Sequence, residues 1–151
     1  MDYMTDLVIE NGVVTGYNGT AKHLVIPSGV KGIGDGAFAG NHTLESVCFP
    51  NGCEWIGEGA FRGCDRLSKA VFSETLTCIG DDAFKGCSGL TELYLPSSVR
   101  EVGYSAFGDC KGLRCVSLSE GLELRGKGVF ARSGGKERIK LNKRVRILDL
   151  I

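Results

Sequence analysis

Net charge is the first thing this sequence lacks, since 18 Lys and Arg balance 18 Asp and Glu. That excludes a strongly basic nucleic-acid binder and an acidic solvating chain at the level of the whole molecule. Long apolar runs are also missing: no uncharged stretch approaches the ~18 residues of a membrane-spanning helix. Met1 to Asp6 has neither the charged nor the apolar region of a signal peptide, so the cytoplasm is expected if Met1 is the native start. Proline is scarce, at three residues, and the seven Cys are an odd number. A fully paired disulfide framework is therefore impossible without a partner thiol. What the chain has in excess is glycine: 23 of 151 residues, about twice the ~7% of an average chain. Apolar content is an ordinary 42%, so this glycine serves turns rather than disorder, and a single domain that turns often is expected.

The turns recur at a fixed period. Ala-Phe occurs at Ala37-Phe38, Ala60-Phe61, Ala83-Phe84 and Ala106-Phe107 and continues as Val129-Phe130, four consecutive spacings of 23. Gly34, Gly57, Gly80, Gly103 and Gly126 lie four residues before each Phe. Ile33, Ile56, Ile79 and Val102 lie five before, a column that Arg125 breaks in the fifth repeat. The three prolines, Pro27, Pro50 and Pro96, share one column; Leu44, Leu67, Leu90 and Leu113 share another. Cys64, Cys87 and Cys110 form a third, flanked in phase by Asn41 and Ser133. A period between 20 and 29 with Leu-x-x-Leu-x-Leu spacing marks a leucine-rich solenoid, and Leu90-Thr-Glu-Leu-Tyr-Leu95 meets that spacing without a substitution.

One repeat can be read physically. Leu93 and Leu95 alternate with Glu92 and Tyr94, as in a short strand with one buried face. Pro96 cannot donate to a ladder and ends the strand. Val99 and Val102 add a second apolar pair, Gly103 permits a turn geometry closed to other residues, and Ser105-Ala106-Phe107 is expected to form about one helical turn. Each repeat is then one circuit, with Ala where backbones crowd and Phe filling the space between coils. No coil buries these residues alone, so the stack supplies the core.

These columns resemble the BspA-like leucine-rich-repeat family, whose repeat runs approximately Leu-x-x-Val/Ile-x-Ile/Leu-Pro-x-x-Val-x-x-Ile-Gly-x-x-Ala-Phe-x-x-Cys. The resemblance covers residues 21–135, with departures at Ser73 and Ser119 in place of Pro and at Arg125 and Val129, a decay that points to a weaker C-terminal stack. It implies an extended right-handed solenoid of α/β class with short parallel concave strands and short helical turns. It also implies no enzymatic activity in the repeat, and roles in adhesion and protein binding at the cell surface or in secreted form.

Residues 1–20 stand outside the register. Leu7 to Glu10, Asn11-Gly12 and Val13 to Thr15 read as a β-hairpin, because Asn-Gly is favoured between right-twisted strands, and such a hairpin would cap the first coil. Five repeats then fill 21–135, and 136–151 begin a sixth coil with Ile139, Leu141, Val145 and Leu148 in phase but stop before an Ala-Phe turn. The whole is one solenoid domain. An uncovered sixth coil exposes apolar side chains, an open edge that its basic residues partly protect. Residues 1–112 carry 8 basic and 14 acidic groups, and 113–151 carry 10 and 4. Such a dipole fits a solvated basic tail; the functional alternative is steering of an acidic partner, a membrane headgroup surface or another copy of the chain, so a monomer or weak head-to-tail self-association is expected.

Residues flanking the inward pair on each strand point out from the concave face, where strands ~4.8 Å apart create columns. One column is His23, Ser46, Lys69, Glu92, Cys115 and Arg138; the next is Val25, Cys48, Val71, Tyr94, Ser117 and Lys140. The second begins with four apolar or aromatic residues beside charged neighbours, the composition of an interface, although Val and Tyr also suit strands regardless of any partner. These twelve residues are the candidate binding site for a protein partner whose identity is open.

Other chemistry finds less support. Cys64, Cys87 and Cys110 fall one coil apart, near enough for disulfides, yet Asn41 and Ser133 in the same column favour a ladder in which compact side chains bond turn carbonyls. Zinc needs clustered ligands, and Cys48-x4-Cys53 and Cys110-x4-Cys115 lack a matching second pair, so no metal and no cofactor is expected. His23 with Cys48 is the one conceivable nucleophile and base, with nothing nearby to orient the imidazole and no phosphate loop or paired carboxylates elsewhere. Asn18-Gly-Thr20 and Asn41-His-Thr43 are glycosylation sequons only in a secretory pathway. The expectation is a non-enzymatic module that binds protein through its concave face; a structural spacer within a larger repeat protein is the alternative.

Overall fold

The structure, a computed structural model, describes residues 6–118, 122–124 and 127–134. Ser119, Arg125, Gly126 and residues 135–151, with the whole sixth coil and its edge, lie outside the described residues. Two strands, β1 (Leu7–Glu10) and β2 (Val13–Tyr17), precede five coils that each carry two more. They are β3 (His23–Val25) and β4 (Gly32–Ile33) in coil 1, β5 (Ser46–Cys48) and β6 (Trp55–Ile56) in coil 2, and β7 (Lys69–Val71) and β8 (Cys78–Ile79) in coil 3. Coil 4 carries β9 (Glu92–Tyr94) and β10 (Glu101–Val102), and coil 5 carries β11 (Cys115–Ser117) and β12 (Glu123–Leu124).

The first strand of each coil is the one the alternating pattern predicts, and these pair in parallel: β3 with β5, β5 with β7, and β9 with β11. The second strands form a sheet the sequence did not announce, in the order β1, β2, β4, β6, β8, β10, β12. Strands of two residues carry no readable alternation; what marks them is the buried column Ile33, Ile56, Ile79 and Val102. The hairpin forms where Asn-Gly places it, with Asn11 at φ 51° and Gly12 at φ 77°. Its second strand then pairs in parallel with β4, Val13 opposite Gly32 and Val14 opposite Ile33, so the hairpin is the first rung of this sheet. Tyr17 completes the cap: its ring lies 5.2 Å from that of Phe38 and its hydroxyl accepts the Ala21 amide.

The segment around Ala-Phe is a turn rather than the expected helical turn, and no helix occurs among the described residues. The hydrogen bonds show why. In coil 3 the amides of Ala83, Lys85 and Cys87 donate three residues back, to Gly80, Asp82 and Phe84. The alternate amides of Asp82, Phe84 and Gly86 instead donate across to Tyr104, Ala106 and Gly108 of the next coil, at 2.7–2.8 Å. With every second amide committed to a neighbour, a continuous helical ladder cannot form. The turn needs positive φ on either side of Phe, and supplies it at Gly36, Gly59, Asp82, Ser105 and Gly128 before the ring and at Gly40, Gly63, Gly86, Asp109 and Arg132 after it.

The glycines four residues before Phe serve a different purpose from the one read from sequence. Gly34, Gly57, Gly80 and Gly103 are not at positive φ. At Gly80 an added Cβ would meet the Glu58 amide nitrogen at 2.8 Å and the Gly57 carbonyl carbon at 2.9 Å. At Gly103 it would meet Asp81 and Gly80 backbone at 2.6 and 2.8 Å. This column is bare because successive coils touch there, backbone against backbone.

Inside the stack the five Phe rings lie nearly parallel, with centroids 4.7, 5.0, 5.3 and 5.7 Å apart from Phe38 to Phe130. Phe49 and Phe72 form a second stack at 5.5 Å and meet Phe61 and Phe84 edge-on. The cysteine column is the expected ladder. Cys64, Cys87 and Cys110 are free thiols whose Sγ atoms donate to the carbonyls of Phe38, Phe61 and Phe84, each at 3.2 Å. The Ser133 hydroxyl donates to Phe107 in the same way. Asn41 differs, its Oδ1 accepting the Thr43 and Leu44 amides at 2.9 Å. Ser73 replaces Pro without loosening the coil: the Leu76 amide still closes the turn on its carbonyl, and its hydroxyl reaches back to Cys53 O at 3.0 Å.

Phe84, held between Phe61 and Phe107, should lose about 3–5 kcal/mol on substitution by Ala. Phe130→Ala should lose less, since among the described residues its ring has one stacked neighbour. Chemical denaturation reads both; a loss under about 1 kcal/mol at Phe84, or a larger one at Phe130, would refute the stack.

Burial raises the Cys64 and Cys110 thiols to about 12 and Cys87 in the same direction. The stability these thiols contribute is complete below the unfolded-state value near 9.0 and falls as pH rises toward 12. Reductant should leave the melting temperature unchanged, and mass spectrometry after alkylation of the native protein at pH 8 should find Cys115 modified and Cys64, Cys87 and Cys110 intact. A Cys64–Cys87 or Cys87–Cys110 bridge contradicts the ladder.

Candidate binding face

Parallel pairing in 23-residue register places the predicted columns in line. His23, Ser46 and Lys69 are successive partners, as are Val25, Cys48 and Val71. Glu92 faces Cys115 and Tyr94 faces Ser117 in the same way. The inward residues between them, Leu24, Val47, Leu93 and Val116, are buried, which forces the flanking side chains outward. Val25, Val71 and Tyr94 are 66%, 43% and 61% exposed, unusually open for apolar and aromatic residues on strands. Cys48, Ser46 and Ser117 are half-buried, while His23, Lys69, Glu92 and Cys115 are exposed. Arg138 and Lys140 lie outside the described residues.

The His23 Nδ1 is 2.7 Å from Ser46 Oγ, so the imidazole's near partner on the adjacent strand is a hydroxyl and not the Cys48 thiol. Among the described residues no group of three or more His, Cys, Asp or Glu is placed to hold a metal ion, and no helix is long and apolar enough to cross a membrane.

The face is divided, which the sequence reading missed. Between coils 1 and 2, Glu45 and Ser46 amides donate to Lys22 O, and the Ile26 amide to Cys48 O. Coils 2 and 3 repeat this with Ser68 and Lys69 to Glu45 O and Phe49 to Val71 O; coils 4 and 5 repeat it with Arg114 and Cys115 to Thr91 O and Leu95 to Ser117 O. Between coils 3 and 4 the corresponding bonds are absent: among the described residues the amides of Phe72, Thr91 and Glu92 donate to no carbonyl, and β7 and β9 belong to separate sheets. The second sheet stays continuous there, β8 pairing with β10. A cleft of about 410 Å³ opens at this seam, lined by β7, β9 and β11.

Its cause lies in coil 3. Ala70 stands in the inward column otherwise filled by Leu24, Val47, Leu93 and Val116, and only Ala70 of these is half-exposed. Phe72, in the column of Ile26, Phe49, Leu95 and Leu118, is half-exposed as well. Coil 3 is drawn toward coil 2 by the Phe49–Phe72 stack and by Ser73 and Thr75, whose hydroxyls both reach Cys53 O at 3.0 Å. A methyl group at position 70 is too small to hold coil 4 against it. The one sequence signal was that Ala in a column of Leu and Val.

The chain matches the BspA type leucine rich repeat region over residues 15–149, as six copies. Among solved structures it is similar to a leucine rich repeat protein of T. pallidum, at 30% identity and TM-score 0.77, covering 79% of this chain and 58% of that one. It shares its fold with a leucine rich cell surface protein from Faecalibacterium prausnitzii A2-165 (24% identity, TM-score 0.75, 87% of this chain and 35% of that one). The same holds for the pneumococcal vaccine antigen PcpA (21% identity, TM-score 0.77, 88% and 34%). The chain thus spans just over half of the first protein and about a third of the other two. No curated protein sequence matches it significantly. With most of its length matched by that repeat and the coil geometry in agreement, this chain belongs to the BspA type leucine-rich-repeat family.

Proposed function

We propose that this chain is a non-enzymatic module that binds protein through the outward face of β3, β5, β7, β9 and β11. The observation that carries the reading is the strip of Val25, Val71 and Tyr94, open to solvent at 66%, 43% and 61%, beside the exposed His23, Lys69 and Glu92. Exposed apolar residues in line, rimmed by charge, cost solvation unless a partner covers them. A role in adhesion at a cell surface is part of this proposal; a protein of the same fold is described as a cell surface protein and another as a vaccine antigen, which supports the surface location. Arg138 and Lys140 continue the same two columns in sequence. The exposed thiol of Cys115 and the half-buried thiol of Cys48 are parts of this surface.

A spacer that binds nothing would not depend on this strip, which makes the two readings separable. Peptides selected from a displayed random library on the immobilised chain should lose at least tenfold in affinity to the Val25→Ser, Val71→Ser, Tyr94→Ala triple variant. They should keep their affinity for Tyr104→Ala, whose exposed ring lies in a turn off the strand face. Recovery of peptides that bind both variants equally well would count for the spacer.

A further inference from the structure

We propose that the seam between β7 and β9 is the specific pocket of this face, and that it takes an extended polypeptide segment carrying one large apolar side chain. The inference rests on the strand-face reading and narrows it to a partner chemistry. Three features of the seam select the ligand.

The first is the set of backbone groups left over. Where the neighbouring coils use Lys22, Glu45 and Thr91 carbonyls to receive two amides each, among the described residues the Ser68 carbonyl receives no backbone amide, and the Thr91 and Glu92 amides donate to no carbonyl. At the other end of the strands the Phe72 amide and the Tyr94 carbonyl are likewise unjoined among the described residues. Donors and acceptors thus face the same opening, and a peptide main chain offers both in return. The second is the floor. Ala70, Phe72 and Leu93 line the cleft with Val71 and Tyr94 at its margin, and its 410 Å³ lies within the ~300–1,000 Å³ of ligand sites. An aromatic or branched aliphatic side chain fills the place that the column's usual Leu or Val leaves empty. The third is charge: the exposed Lys69 and Glu92 both line the cleft, one on each strand, so an acidic and a basic residue flanking the anchor are matched in sign.

The groups involved are not accidents of a loose end. The seam lies in the middle of the described stack, with the second sheet and the Ala-Phe turns unbroken across it, Phe84 donating to Ala106 at 2.7 Å. The opening is therefore a wedge on one face only.

Dye-labelled pentapeptides Thr-Asp-X-Lys-Thr, with X as Phe, Leu, Ala or Lys, provide the test by fluorescence polarisation. Phe or Leu at X should bind at least tenfold tighter than Ala or Lys, and Ser in place of both charged residues should weaken binding. N-methylation of the amide at X should weaken it again, because the main chain is read. Ala70→Leu, and Ala70→Val as the smaller replacement, should fill the cleft and reduce affinity tenfold or more while raising or preserving the melting temperature. Hydrogen exchange should show the Phe72, Thr91 and Glu92 amides fast in the free protein and slowed by the Phe peptide. No binding by any member up to millimolar concentration, or affinity indifferent to Ala70→Leu in a folded protein, overturns the pocket. If binding survives Ala70→Leu but is lost in Val25→Ser, the strand face stands without the pocket; if neither variant matters, the strand face falls too.

Discussion

Everything in this fold depends on how closely one coil can approach the next. Backbones touch along the column Gly34, Gly57, Gly80 and Gly103, where an added methyl group would sit 2.6–3.0 Å from main-chain atoms of the preceding rung. That contact fixes the separation at which the Phe rings stack, alternate turn amides reach the next coil, and three thiols reach the carbonyls above them. A solenoid's stability is shared among nearest neighbours in this way, and each coil is ordered by the one beside it.

The parts legible in the sequence were those that repeat with one residue type per column. Phe at a constant interval can only stack, Cys beside Asn and Ser in one column reads as a hydrogen-bonding position, and Asn-Gly marks its hairpin. The parts that were not legible depend on which of several physical reasons applies to a residue. From sequence Gly103 reads as a turn glycine, yet positive φ falls two residues later at Ser105 and six later at Asp109, where the side chains disguise it. The Ser-Ala-Phe segment has the composition of a helical turn, but its amides are shared between coils, and sharing is invisible in a single repeat. Strands of two residues are too short to show alternation, so the second sheet went unseen.

The candidate site was half legible for the same reason. Period two along a strand assigns each residue to the inner or outer face, and the outward columns lie where it puts them. The seam arises from the inner face: Ala70 underfills its layer, while Phe72, Ser73 and Thr75 hold coil 3 toward coil 2. A deficit in the core thereby becomes a feature of the surface. In a repeat protein each coil is nearly the same as the next, and specificity has to come from the coil that departs.

Whether coil contact governs the structure can be measured at two glycines that differ in the reason for being glycine. Gly80 has ordinary φ and no room, whereas Gly36 has φ 63° and nothing within 4 Å of an added Cβ. The Gly36 column already accepts Asp82 and Ser105; the Gly80 column accepts no other residue in five repeats. Denaturant unfolding of Gly80→Ala and Gly36→Ala decides between them. The account predicts a loss of about 2–3 kcal/mol or more at Gly80, from forcing coils apart, against about 1 kcal/mol at Gly36 for the left-handed backbone alone. A Gly80→Ala protein within about 0.5 kcal/mol of the parent, the range of an uninvolved surface position, would contradict it.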